Sequence, residues 1–108
     1  MKTEKILMVV TIAAAAALSR FRMVDYAGAT AGNGVRALGV PVTNFDVAEQ
    51  AGVATHGELL VEAGAAVAVG AQVQSDASGR VITLAAGVPF GVARDAAGAA
   101  GEFIRVLV

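Results

Sequence analysis

Apolar positions in this chain fall into short runs separated by glycine, aspartate, asparagine or serine, the punctuation of strands and not of helices. Residues 6–12 form a nearly unbroken apolar run. Residues 20–25 and 66–74 contain stretches in which every second residue is apolar, and residues 59–62, 80–84 and 103–108 are short and rich in Val, Ile or Leu. The alternation in Arg20-Phe21-Arg22-Met23 and Ala71-Gln72-Val73-Gln74 predicts strands with one wet face, because successive strand side chains point to opposite sides of a sheet. Turn residues separate the runs: Asp25-Tyr26-Ala27-Gly28, Gly32-Asn33-Gly34 and Asp76-Ala77-Ser78-Gly79, so that residues 75–84 read as strand, tight turn, strand. Pro41 and Pro89 each follow Gly-Val and predict an edge or a strand end, since proline cannot donate to a ladder. The alanine-rich residues 13–17 and 93–100 favour helix locally but are too short to stand alone. They predict no more than helical turns near residues 47–51 and 93–97. The fold class expected is all-β, a small barrel or sandwich with short helical turns.

The chain also repeats itself imperfectly. Residues 8–28 align without a gap with residues 59–79, sharing Val10/Val61, a run of alanines, Asp25/Asp76 and Gly28/Gly79. Further on, Gly39-Val40-Pro41 is echoed by Gly87-Val88-Pro89, Phe45 and its acidic neighbours by Phe90 and its neighbours, and Gly57-Glu58 by Gly101-Glu102. The offset falls from 51 residues (Met8 to Leu59) through 48 (Gly39 to Gly87) and 45 (Phe45 to Phe90) to 44 (Gly57 to Gly101). Two copies, about residues 6–56 and 57–108, are too few for a solenoid, so one closed domain spanning residues 1–108 with pseudo-two-fold symmetry is expected. The two Gly-Val-Pro words should then occupy equivalent places. The chain ends in an apolar strand that should be paired or covered, because such a strand at an open edge invites aggregation.

Composition narrows the function. Hydrophobic residues make up 56% of the chain but aromatics only 5%, so the core must be built from small side chains. Each buries little area at roughly 25 cal/mol per Å2, and association would add stability. A net charge of −1, lysines only at Lys2 and Lys5, and six arginines spread along the chain give no electrostatic footprint for nucleic acid or a membrane surface. The absence of cysteine excludes disulfides and thiolate metal sites. The apolar run of residues 6–18 is shorter than the roughly 20 residues a bilayer span takes. Lys2, Lys5, this run and Ser19 also fit a secretory signal peptide, which would make the chain a secreted or surface structural subunit. The alignment of residues 8–18 with mid-chain residues 59–69, and Glu4 between the lysines, favour a strand of the domain instead.

Little chemistry is encoded. His56 is the only histidine, and Thr55-His56-Gly57-Glu58 places neighbours on opposite faces of a strand. Gly32-Asn33-Gly34 lacks the lysine of a phosphate loop, and a carrier barrel of the lipoyl or biotinyl type would need a hairpin lysine that is absent. Asp25 and Asp76 are explained as turn residues whose side chains bond the backbone two residues on. No catalytic, cofactor-binding or metal-binding residues are expected, and the chain is not expected to be an enzyme.

The C-terminal half, GRVITLAAGVPFGVARDAAGAAGEFIRVLV, orders a strand, a turn, Gly-Val-Pro-x-Gly-Val-Ala, an acidic and alanine-rich link, Gly-Glu and a final Val/Leu strand. In this it resembles the small capsid decoration, or cement, proteins of tailed bacteriophages, and the resemblance extends loosely to the N-terminal copy. It implies a β-rich structural protein of the virion, assembled in the host cytoplasm, that binds the capsid exterior and clamps neighbouring major capsid protein subunits. It also implies self-association, as a homotrimer or alternatively a dimer. The middle section, residues 29–56, departs from the family pattern. Subtracting what the repeat explains leaves Lys2, Lys5, Arg36, Asn44 and His56, and these together with Phe45 are the expected partner-binding residues.

Overall fold

The computed structural model describes residues 3–108, and all of its regular elements are strands. They are β1 (Lys5–Ala13), β2 (Val24–Asp25), β3 (Ala37–Pro41), β4 (Gln50–Glu62), β5 (Gln72–Ser75), β6 (Val81–Thr83), β7 (Gly91–Ala93) and β8 (Phe103–Leu107). The ladder runs β2-β3-β4-β8-β7-β5-β6, every strand pair antiparallel, with β1 added to β4. The sheet curls until Val81 meets Ala63 in a parallel bridge, and the Gly64 N–H donates to the Val81 carbonyl at 2.8 Å. The all-β expectation is met.

β4 organises the molecule. One edge pairs with β1 from Gln50 to Glu58, while the other pairs first with β3 at Val53 and Ala54 and then with β8 from Glu58 to Glu62. Where the partners change, the register slips: Ile6 faces Gly57 but Met8 faces His56, leaving Leu7 as an extra residue on β1. Gly57 takes φ +118°, a left-handed conformation in which a side chain would strike the Lys5 carbonyl.

The core is made of small side chains. Met23, Leu59 and Ile104 are the largest fully buried ones, joined by Val61, Val73, Val81 and Val106. A second cluster gathers Ala14, Leu18, Val24, Ala51 and Val53, with Val10, Ile12, Leu38 and Phe45 packed against it. Along β8, Ile104 and Val106 point inward, whereas Phe103 and Leu107 are exposed. This last strand lies between β4 and β7, so its backbone is paired on both sides.

Several local expectations are corrected. Of residues 20–25 only Val24 and Asp25 are strand, because Phe21 adopts φ +72° in a turn closed by the Arg22 N–H on the Ser19 carbonyl. Residues 66–74 are broken by a turn at Gly70, φ +81°, before β5 begins. Neither expected helical turn forms among the described residues: residues 93–97 hold the end of β7 and a bridge from Ala97 to Val67, and residues 47–48 form a simple turn. β3 and the first part of β4 lie within residues 29–56, for which no strand was expected.

The repeated words correspond differently from their spelling. Gly39-Val40-Pro41 forms the end of β3, paired Val40 to Ala54 and Pro41 to Val53. Gly87-Val88-Pro89 lies in the connection before β7, and β7 itself, Gly91-Val92-Ala93, makes the matching pairs, Val92 to Leu107 and Ala93 to Val106. Leu18 and Phe45 exchange two backbone hydrogen bonds, whereas the Phe90 N–H donates to the Val73 carbonyl at 2.8 Å, so Phe45 and Phe90 sit in different surroundings. Only the turn words hold their place: the Asp25 carboxylate accepts from the Ala27 and Ala29 N–H groups, and Asp76 accepts from Ser78 and Arg80. Gly87 recurs for its own reason. It packs against the Gly34 backbone and donates to Gln74 Oε1 at 2.9 Å, where a side chain would not fit.

Candidate docking surface

A strand read as an unbroken apolar run should be covered on both faces. No residue of β1 is fully buried. Leu7 is 82% exposed, Met8 and Val9 about half, and Ile6 39%. Only Val10 and Ile12 pack partly into the second core cluster. Cross-strand partners carry this surface onward, since directly opposed residues share a face: Lys5 pairs with Glu58, Glu58 with Leu107, Leu107 with Val92 and Val92 with Gln72. Leu107 and Val92 are themselves exposed, and Lys5, Leu7, Gly57, Glu58, Leu107 and Val108 line a shallow hollow.

Ion pairs frame the apolar row. Arg94 meets Glu58 at 2.8 Å, and Arg105 makes a two-pronged contact with Asp95 at 2.8 and 2.9 Å. The hydrogen bonds it donates to the Asp95 carboxylate hold the Arg105 guanidinium above its usual pKa. Nearby, Phe103 lies 4.8 Å from Phe21, whose ring carries Arg20 at 4.7 Å.

A cleft of about 300 Å3 opens beside β1. Met8, Val10, Leu38 and Phe90 give it apolar walls, and Arg36, His56 and Tyr26 supply polar ones. Thr55 Oγ1 lies 3.0 Å from His56 Nδ1. Tyr26 is 61% exposed and reaches the cleft from the turn after β2.

The expected partner-binding residues are dispersed. Arg36 and His56 line the cleft together, and Lys5 stands at the hollow by Leu7. Lys2 lies outside the described residues. Asn44 and Phe45 serve the fold: Asn44 Oδ1 accepts the Arg20 N–H at 2.8 Å, and half-buried Phe45 bridges Leu18. Leu7, Met8 and Val9, absent from the expected set, dominate the surface. Their signal was the unbroken run itself, which called for cover on both sides. Among the described residues no group of three or more His, Asp or Glu side chains converges to hold a metal.

The family model described as phage cement protein matches residues 1–108. Among solved structures, the chain is similar to the head fiber gp8.5 N base of bacteriophage phi29, with a TM-score of 0.77, 18% identity, and coverage of 94% of this chain and 92% of that one. At that identity the likeness concerns the fold. No curated protein sequence matches.

Proposed function

We propose that this chain, which belongs to the phage cement protein family, binds the outer surface of a phage head and clamps neighbouring major capsid protein subunits, as a homotrimer. The family makes it a structural protein associated with the phage capsid. The observation that carries the finer reading is β1, a nine-residue, largely apolar strand with seven exposed positions and, among the described residues, one unpaired edge. An apolar surface of this kind marks an interaction site on a soluble protein. The row from Leu7 through Leu107 to Val92 extends it into a face with ion pairs at its margin, as expected where a partner's surface covers an apolar centre. The similar phi29 structure is a head fiber part, which agrees with attachment to a head.

Co-sedimentation with expanded capsids tests this. Leu7→Asp changes a residue that packs on almost nothing in the isolated chain, so its melting temperature should stay within the range of an ordinary surface substitution. Capsid retention should fall roughly tenfold or more, as for a buried apolar anchor exposed to a charge. Undiminished retention of the folded variant would refute β1 as the docking surface.

A further inference from the structure

Among the described residues, charge is largely partnered; besides Lys5, which meets no carboxylate, Arg36 and Asp46 stand without a partner, and these two are opposite in sign. Arg20, Arg22, Arg80, Arg94 and Arg105 each meet a carboxylate, leaving Arg36 as the arginine without one among the described residues. Of the nine acidic side chains, Glu4, Glu58, Glu62, Asp76 and Asp95 are ion-paired, and Asp25, Glu49 and Glu102 accept backbone N–H groups. Among the described residues, Asp46 has neither kind of partner.

Asp46 stands on a rigid turn. Its N–H donates to Glu49 Oε1 at 2.6 Å, its carbonyl accepts the Glu49 N–H at 3.2 Å, and the Ala48 N–H reaches the Ala14 carbonyl at 2.7 Å. Ala48 is held at φ +70°, a left-handed conformation that strains a non-glycine residue. The matching turn of the second half places Gly101 there, at φ +93°, without that strain. The strained turn displays Asp46 beside Val47, which is 62% exposed. An acid next to an apolar side chain is what the Arg36 cleft lacks: it offers one unpaired cation over walls formed by Met8, Val10, Leu38 and Phe90.

We propose that the Arg36 cleft receives the Asp46-Val47 turn of a second copy of this chain, with the Asp46 carboxylate on the Arg36 guanidinium and Val47 against the apolar walls. The two surfaces differ, so each copy gives one and receives one, a head-to-tail contact that forms a closed ring when the rotation between copies closes. The turn arrives already shaped, which spares the ordering cost that a flexible segment would bear on binding.

Sedimentation equilibrium on the full chain tests this. The wild type should have a mass that is a multiple of its 10.7 kDa chain. Arg36→Asp and Asp46→Arg should each weaken association by roughly tenfold or more through like-charge repulsion. The chain carrying both exchanges should regain it. Circular dichroism and melting separate misfolding from dissociation, and Arg36→Gln with Asp46→Asn give a gentler pair that should weaken association in a folded protein. A monomeric wild type, or a folded double exchange that stays dissociated, would overturn the proposal. Leu7→Asp should leave the assembled mass unchanged, which distinguishes failure here from failure of capsid attachment through β1; dissociation by Leu7→Asp would move the contact to β1 and overturn it too.

Discussion

Replacing Asp76 by alanine removes one side chain that closes three contacts. Its Oδ1 accepts the Ser78 N–H at 2.8 Å and the Arg80 N–H at 2.9 Å, while Oδ2 lies 3.3 Å from Arg80 Nε. Asp25 provides a built-in comparison, since its Oδ1 accepts the Ala27 and Ala29 N–H groups at 2.9 and 3.0 Å with no arginine attached. A hydrogen bond to a charged acceptor contributes about 1.5–3 kcal/mol when enclosed, and less where the freed donor is rehydrated. In each turn one donor is exposed and one half-buried, which puts the loss from Asp25→Ala at about 2 kcal/mol. Asp76→Ala also forfeits a partly exposed ion pair worth up to about 1 kcal/mol, for a total near 3 kcal/mol. Asp76→Asn keeps the acceptor oxygen and should lose only about 1 kcal/mol. Urea unfolding at neutral pH, with unchanged slope, reads all three. The reasoning fails if Asp76→Ala stays within 0.5 kcal/mol of the wild type, or if Asp25→Ala proves the more damaging.

Three further outcomes are expected. Ala48→Gly relieves the left-handed strain at a small entropic cost in the unfolded chain, and should raise stability by up to about 1 kcal/mol in the same urea assay. Gly39→Ala would drive a methyl group into the Ala54 carbonyl and force β3 off β4, costing about 2–4 kcal/mol by thermal unfolding; a neutral result would mean that this ladder yields freely. Deleting residues 104–108 removes buried Ile104 and Val106 and unpairs both β4 and β7, so the cooperative unfolding transition should vanish.

Legibility followed the range of the interactions. The Asp25 and Asp76 turns were readable because their cause is local, one carboxylate and the two N–H groups that follow it. β1, β6 and β8 announced themselves through branched apolar residues. β3 and the first part of β4 did not: Ala37-Leu38-Gly39-Val40-Pro41 and Ala51-Gly52-Val53-Ala54 are strands because close-packed neighbours demand small residues, as Gly39 shows against Ala54. That demand is tertiary, and strand propensity does not register it. The alternation at residues 20–23 misled for the opposite reason, since nothing local announces the left-handed Phe21. Arg36 and His56 entered the expected set by subtraction, yet the subtraction itself was misplaced. Residues 37–41 and 50–58 are strand, in β3 and β4, and Asn44 and Phe45 are occupied with holding the loop to Arg20 and Leu18.

The exposures on β1 set a limit on what one copy can do by itself. Ile6, Leu7, Met8 and Val9 retain between 39% and 82% of their surface, and full burial of such side chains is worth roughly 2 kcal/mol each. Covering what remains exposed therefore yields on the order of 4–5 kcal/mol, against an association cost of about 4–15 kcal/mol. A lone copy on a capsid would exchange readily even with favourable polar contacts at the margin. Copies joined through Arg36 and Asp46 attach as a unit, and each engaged β1 raises the effective concentration of the next, a gain of about 10²–10⁴ in retention without any new capsid contact. On the proposed reading, residues that touch no capsid subunit then govern how firmly the protein stays on the head. Folded Arg36→Asp protein should leave expanded capsids faster than the wild type, and the double exchange with Asp46→Arg should restore its residence. Equal residence of the wild type and Arg36→Asp would show that β1 holds each copy independently.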